Sequence, residues 1–412
     1  MLVEINILQN NAPSNLNRDD SGSPKDCIFG GVRRSRISSQ SLKRSIRCSD
    51  VFESEIEEKC RGIRTRRLPE LVKDYLIKNG IDENSADAAS KWATSFGKNE
   101  KNEKKDSQKE NSDDPDSGKT AKSMATITSQ TFFLAPSDIE IIGEYLKKEI
   151  KENPDPENIK KIKRDVPELK KWRPITPDIA LFGRMVTDPA FSDVQASIQV
   201  AHAISTNKMD LEFDYFTAVD DLQKAGEGTG ADMVGDIEFN SACYYKYFAL
   251  DFEAFIDNLT GKKSASAEKK DYSRRRKEAE ETALKVVDAF INAALLSNPT
   301  GKQNSFAAHQ FPDAVLIEIK EKKIPQSYAN AFLKPCSPTS QKDLMEVSID
   351  RLLQHVQTMD EKYELEIVQR LWFTTKDIPL EYTAKNAKGP KICKNRNDLV
   401  ESVTTFLENS LK

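Results

Sequence analysis

Apolar and polar residues alternate from Leu2 to Leu8 (LVEINIL), which predicts a strand. The period changes after Ser38. Leu42 and Ile46 fall four apart, while Gln40, Lys43, Arg44 and Arg47 share another face, so 39–48 reads as a short amphipathic helix capped by Ser38 or Ser39. Helical spacing dominates 52–95 and 137–172. WRPITPDIALFGRMV (172–186) begins with prolines and reads as extended afterwards. Further strands are predicted at 194–206, 236–250 and 313–320. The clearest helix is 277–296, where Ala279, Ala283, Val286, Val287, Phe290, Ile291, Ala294 and Leu295 form a buried stripe. Residues 341–412 add helices and a candidate strand at 365–373. The order strand, helix, strand, strand, helix, strand predicts an α+β, ferredoxin-like sandwich with long insertions.

Composition narrows the function. In 412 residues no run of 18 apolar positions occurs, so no membrane span is expected, and the start MLVEINILQNN reads as a strand and not as a signal peptide. Six cysteines lie far apart without a C-x-x-C pair, which fits free thiols in a reducing cytoplasm. Three histidines make a His-rich metal site or a His-centred triad improbable. The net charge of −4 excludes a uniformly basic protein, but the charge is uneven. Between Arg18 and Arg47 eight Lys/Arg face only Asp19, Asp20 and Asp26. Residues 98–122 balance seven lysines against seven acids with almost nothing apolar, and are expected to be a mobile insertion. A third charged run, Lys262 to Lys277, reads as a solvated loop before a helix, with nucleic-acid contact as the alternative.

Three stretches carry candidate chemistry. In PSNLNRDDSGSPKDCIFGGVRRSRISSQSLKRSIR a glycine pair precedes Arg33, Arg34 and Arg36. A Ser-capped helix with a basic stripe follows, which suits either a phosphate cradle or an ordinary solvated face. In PDIALFGRMVTD (177–188), Met185 is either a core methionine or an exposed wedge for stacking against bases. DYFTAVDDLQKAGEGTGADMVGDIEF (214–239) reads as a long protruding hairpin. It lacks the P-loop pattern, and Asp220 and Asp221 there serve either as turn residues or as a metal pair. His202, in the apolar run VAHAI, reads as a packed core residue.

These segments resemble a known family. PSNLNRDD (13–20), IFGGVRRSRISSQSLKR (28–44), DIALFGRM (178–185), AHAISTNK (201–208), DYFTAVDDLQ (214–223) and EFNSACYYKY (238–247) are similar, in order, to motifs of the CasC family. CasC is the CRISPR RNA-binding backbone subunit of type I-E Cascade. QFPDAVLIEI (310–319) and SYANAF (327–332) add weaker likeness, whereas 51–172 and 341–412 match poorly.

The resemblance implies a right-hand shape. A modified RRM palm would comprise 1–50, 173–205 and, with C-terminal helices, 237–412. A helical fingers insertion would span 51–172 and a thumb hairpin 206–236. It implies a non-catalytic cytoplasmic subunit that binds CRISPR RNA through its sugar-phosphate backbone and stacks on copies of itself. That subunit would present the spacer to target DNA beside CasA, CasB, CasD and CasE, with no membrane, metal or cofactor. Carried over by motif, Arg18, Lys25, Ser38, Gln40, Lys43 and Arg47 would contact the RNA backbone. Met185 would be the palm wedge, with Tyr215, Phe216 and Thr217 at the thumb base and Val234 on its return. The competing expectations are a metal-dependent endoribonuclease of the related type III backbone kind, using Asp19, Asp20 or Asp26, and a generic RNA-binding module.

Overall fold

The computed structural model describes residues 1–97, 127–153, 155–159, 162, 166–170, 175–218, 233–261, 269–378 and 389–412. The segment 98–122 and the hairpin tip with Asp220 and Asp221 lie outside the described residues. The chain forms two units. One comprises Met1–Glu55, Ile198–Glu253 and Leu284–Lys412, the other Ile56–Ser197 and Ala254–Ala283. Among the described residues no helix is long and apolar enough to cross a membrane.

Strands in chain order are β1 (Leu2–Ser14), β2 (Asp26–Phe29), β3 (Val32–Ile37), β4 (Ile63–Thr65), β5 (Phe132–Leu134) and β6 (Ile198–Val200). They continue with β7 (Ala203–Ser205), β8 (Glu212–Ala218), β9 (Met233–Asp251), β10 (Ala314–Lys320), β11 (Gln369–Thr374) and β12 (Lys391–Ile392). The first unit is built on a mixed sheet ordered β12-β11-β10-β1-β9-β7-β3-β2, with β6 and β8 also pairing β9. β1 lies between β10 and β9, its Leu2 opposite both Lys320 and Asp251. Only the short β11–β12 pair is parallel; the other described ladders of this sheet are antiparallel.

β1 is buried along nearly its whole length, so its alternation separates two cores and not core from solvent. Leu2 and Leu8 pack with Tyr245, Tyr247, Leu316 and Trp372 against the helix Leu344–Tyr363, through Met345, Ile349 and Leu352. Glu4 and Asn6 point to that same face and are fully buried. Their charges and amides are matched there. Lys320 pairs with Glu4, Arg370 with Glu318 at 2.7 Å and Asp360 at 2.8 Å, and the Tyr328 hydroxyl donates to Glu318 at 2.9 Å. The Tyr245 hydroxyl donates to Asn6 at 2.7 Å. Burial works against the Arg370 charge, but Glu318 and Asp360 more than offset it and hold its pKa above the ordinary range.

The second unit is mainly helical. Leu68–Lys78, Glu83–Ala93 and Pro136–Glu152 enclose a core of Leu68, Val72, Trp92, Phe96, Phe132, Ile142, Leu146 and Phe191. Its strands β4 and β5 form a small antiparallel ladder that the helical spacing of 52–95 does not announce.

The segment expected to be extended after Trp172 instead contains the helix Pro177–Phe182. The physical reason is Pro177 in its first turn. Proline's fixed φ suits the first helical position, where the missing N–H has no partner to lose. The strand expected at 194–206 is broken into β6 and β7, and the one at 236–250 begins earlier, at Met233. The 365–373 strand exists as β11, paired with β10.

Arg370→Met leaves Glu318 and Asp360 buried without their guanidinium. We expect it to lower unfolding stability by about 3–5 kcal/mol, measured by urea denaturation. An unchanged midpoint would show that the network contributes no stability.

Candidate nucleic-acid interface

After a bulge between Asn11 and Ser14, the chain leaves β1 and turns through a polar loop. Asn15 is fully buried, and its Nδ2 donates to the carbonyls of Gly22 and Glu238, both at 2.9 Å. Asn17 then joins three segments. Its side-chain oxygen accepts from the Ser38 N–H at 2.8 Å and its carbonyl from the Lys25 N–H at 2.8 Å. The Lys25 carbonyl in turn accepts from the Arg36 N–H at 2.8 Å. Loop, β3 and the start of the helix Ser39–Arg47 are thus one hydrogen-bonded piece. Arg18 is exposed on it and Lys25 half-buried.

The helix forms as its pattern requires. Ser38 is the N-cap, its hydroxyl accepting from the Ser41 N–H at 3.3 Å, and Leu42 and Ile46 are buried. Gln40 and Arg44 are exposed, with Lys43 and Arg47 half-buried beside them. Arg44 and Arg47 fall in the last turn, where the helix dipole favours positive charge. Because Ser38 is buried and capping, its hydroxyl serves the helix's own amide.

The acids of this loop are engaged locally. Asp19 Oδ1 accepts from the Ser21 hydroxyl at 2.7 Å and from the N–H groups of Ser21 and Ser23 at 3.0 Å each. These bonds, the Ser21 hydroxyl's foremost, hold its carboxyl below the usual range. Asp26 forms an ion pair with Arg33. A cavity of about 490 Å³ opens here, lined by Arg18, Asp19, Asp20 and Gly301 among others. Among the described residues no three His, Cys, Asp or Glu side chains are grouped to hold a metal ion.

The three arginines of β3 have different environments. Arg33 is exposed; Arg34 is fully buried and donates to four backbone carbonyls; Arg36 is half-buried. Burial lowers the Arg34 pKa. Arg36 donates from Nε to the Asp26 carbonyl and from Nη1 to His202 Nδ1, both at 3.0 Å. His202, expected in the core, is exposed instead, because the chain between β6 and β7 leaves it pointing out while Ala203 turns in. Sequence reasoning missed the Arg36–His202 pair; the histidine between two alanines in AHAIS was its only signal.

The protruding hairpin is the β8–β9 ladder. Tyr215 lies opposite Asp236, Phe216 opposite Gly235 and Thr217 opposite Val234. Phe213 and Tyr215 are exposed, at 62% and 68%. A Cβ on Gly235 would lie 2.6 Å from the Phe216 ring, so the missing side chain lets that ring lie across the partner strand.

Met185 belongs to the other unit and is 91% exposed. Its two predecessors explain why. Gly183 ends the helix at φ +78°, where a Cβ would stand 2.8 Å from the Ala196 nitrogen. Arg184 is buried, pairing with Asp138 at 2.7 Å and donating to the Ser192 carbonyl at 3.1 Å. The buried arginine fixes the backbone, and the next residue is turned into solvent. The structure therefore places ten of the expected contact residues in the first unit and Met185 in the second.

A family model, Cas_CT1975 with the description "CT1975-like protein", matches residues 3–400. No curated relative matches the sequence. A chain of a solved "CRISPR RNA-guided surveillance complex, pre-nicking" is 24% identical with a TM-score of 0.73, over 99% of this chain and 100% of that one. A chain of a "CRISPR RNA-guided surveillance complex" is 20% identical with a TM-score of 0.57, over 98% and 99%. At these identities the likeness is one of fold.

Arg184→Ala leaves the Asp138 carboxylate buried without its partner. It should cost about 3–5 kcal/mol of unfolding stability in urea, whereas Met185→Ala should change it by less than about 0.5 kcal/mol. Equal losses would refute the division between anchor and displayed side chain.

Proposed function

The chain belongs to the CT1975-like protein family, and on that premise we propose that it is a non-catalytic, CRISPR RNA-binding backbone subunit of a Cascade-type surveillance complex. Copies of it stack along the RNA, hold the sugar-phosphate backbone and leave the bases free to pair with target DNA. The finer assignment is type I-E, in the cytoplasm, with CasA, CasB, CasD and CasE as companion subunits. The observation that carries this reading is the Asn17 junction, which presents Arg18, Lys25 and the basic face of the helix Ser39–Arg47 on one rigid piece.

Other features support it. The strand order β10-β1-β9-β7, with the helix Ser39–Arg47 between β1 and β7 in sequence and Lys269–Leu296 between β9 and β10, supports an RRM-like palm. The β8–β9 hairpin, with its exposed Phe213 and Tyr215, suits a thumb that stacks on bases, and the solvent-facing Met185 suits a wedge between them. The contact set is Arg18, Lys25, Ser38, Gln40, Lys43, Arg47, Met185, Tyr215, Phe216, Thr217 and Val234. Within it Ser38 acts through its cap, by orienting the helix. The engagement of Asp26 by Arg33 and of Asp19 by its own loop supports a scaffold over a nuclease.

Light scattering with guide RNAs of increasing length tests the proposal. Mass should rise in steps with RNA length while the RNA stays intact on a gel; a fixed one-to-one complex, or cleaved RNA, would overturn it. Replacing Lys43 and Arg47 together with alanine should weaken binding similarly for all sequences and flatten the salt dependence by about 0.7 in log–log slope per lost phosphate contact. An unchanged slope would remove that helix from the RNA surface.

A further inference from the structure

Arg36 was not among the expected contacts, nor was His202, yet the two form a built pair beside the basic loop. Arginine offers only donors, so in the 3.0 Å bond Arg36 Nη1 donates and His202 Nδ1 accepts, which makes the imidazole neutral with its proton on Nε2. With Nε committed to the Asp26 carbonyl, the guanidinium plane is fixed. Its Nη2 makes no hydrogen bond to another described residue.

The charges that act on the imidazole are those of Arg36 and Lys25. From the loop comes Lys25; from β2 come Asp26, whose carboxylate is taken by Arg33, and Cys27, whose thiol burial keeps neutral by raising its pKa. β3 contributes Arg34, turned into the core. β9 contributes Tyr247, whose hydroxyl is committed to Glu4 on the sheet's buried side. Partial burial, then Arg36, then Lys25 hold the His202 pKa below its ordinary value. The surface here has the cations Arg36 and Lys25, a neutral imidazole, and in Asp26 a carboxylate already paired with Arg33.

Resting on the RNA-backbone reading above, we propose that Arg36, His202 and Lys25 are a further phosphodiester contact in which Arg36 and Lys25 bind the phosphate and His202 takes up a proton when it is occupied. Protonation places a hydrogen on Nδ1 and so releases its bond to Arg36; a bound phosphate offsets the two cations and accepts from the imidazolium and from the freed Nη1, so His202 titrates higher in the complex than in the free protein. The sign follows from linkage. Affinity rises as pH falls through the bound-state pKa and levels off below the depressed free-state pKa, by at most tenfold per pH unit for one proton.

The test measures fluorescence anisotropy of a labelled single-stranded RNA of mixed sequence with the full chain, at fixed ionic strength from pH 8 to pH 5.5. Wild type should gain about 3–10-fold in affinity across that range. His202→Gln, which keeps an acceptor for Arg36 but does not titrate, should gain less than about twofold over the same range, whatever its affinity at neutral pH. Arg36→Gln should bind more weakly at every pH. Identical pH profiles for wild type and His202→Gln, with RNA still bound, overturn this contact alone; no RNA binding by wild type at any pH overturns the RNA-backbone reading with it. A second readout is independent of that variant. The chain has three histidines, so isotope-labelled imidazole resonances can be assigned by His309→Gln and His355→Gln. RNA should raise the pKa of the His202 resonance, and an unmoved titration refutes the proposal.

Discussion

A guanidinium removed from water is tolerated only where its N–H groups meet acceptors. Arg34 meets most of them, with Nη1 on the carbonyls of Ser205 and Thr206, each at 2.8 Å, and Nη2 on those of Phe332 and Leu333, at 2.7 and 3.3 Å, while its buried Nε has no partner among the described residues. This binds β3 to the end of β7 and to the turn Ala329–Phe332. The hairpin tip closes on the same place. Gly30 has φ +60°, and the position of its absent Cβ is only 2.0 Å from the Leu333 carbonyl oxygen, so any side chain would force the tip away. The loop, the helix start and Arg36 hang from β3 by short backbone bonds and inherit its position. Groups held this way lose little further freedom when a phosphate arrives, which is what a sequence-independent binder needs.

The centre of the sheet solves a different problem with the same chemistry. Glu4, Glu318, Lys320 and Arg370 lie on strands that water does not reach, and each finds an opposite charge on a neighbouring strand or on the helix Leu344–Tyr363. Such pairs add little net stability over apolar residues of the same size, but they punish misalignment. A one-residue slip of β1 would carry Glu4 to the opposite, apolar face. Register at the centre then sets where β7 and β3 lie further out.

Much of this was legible in the sequence. The helix Ser39–Arg47 and its cap followed from serine position and the spacing of Leu42 and Ile46, and β10 followed from DAVLIEIK. The alternation of Leu2–Leu8 marks β1 but not its full length; Gln9 and Asn11 are buried amides, and the strand continues to Ser14. His202 was misjudged because hydrophobic neighbours suggest a core, whereas the break between β6 and β7 decides which way a side chain faces. Arg33, Arg34 and Arg36 are indistinguishable as letters; only the tertiary location of four carbonyls separates the buried one from the other two. The Arg184–Asp138 pair joins residues 46 positions apart and has no local signal at all. Local chemistry could be read, and long-range polar pairing could not.

β9 runs for 19 residues, which is about 60 Å of extended chain at roughly 3.3 Å per residue. From Ala242 onward it is clamped between β1 and its neighbours, while from Met233 to Phe239 its ladder partner is β8. Mechanically it is a cantilever, a beam built into a wall at one end with its load at the other. A force applied along the described part of the arm passes down the β8–β9 ladder. It arrives at β1 as a torque, at the strand on which the buried charges of the sheet are aligned.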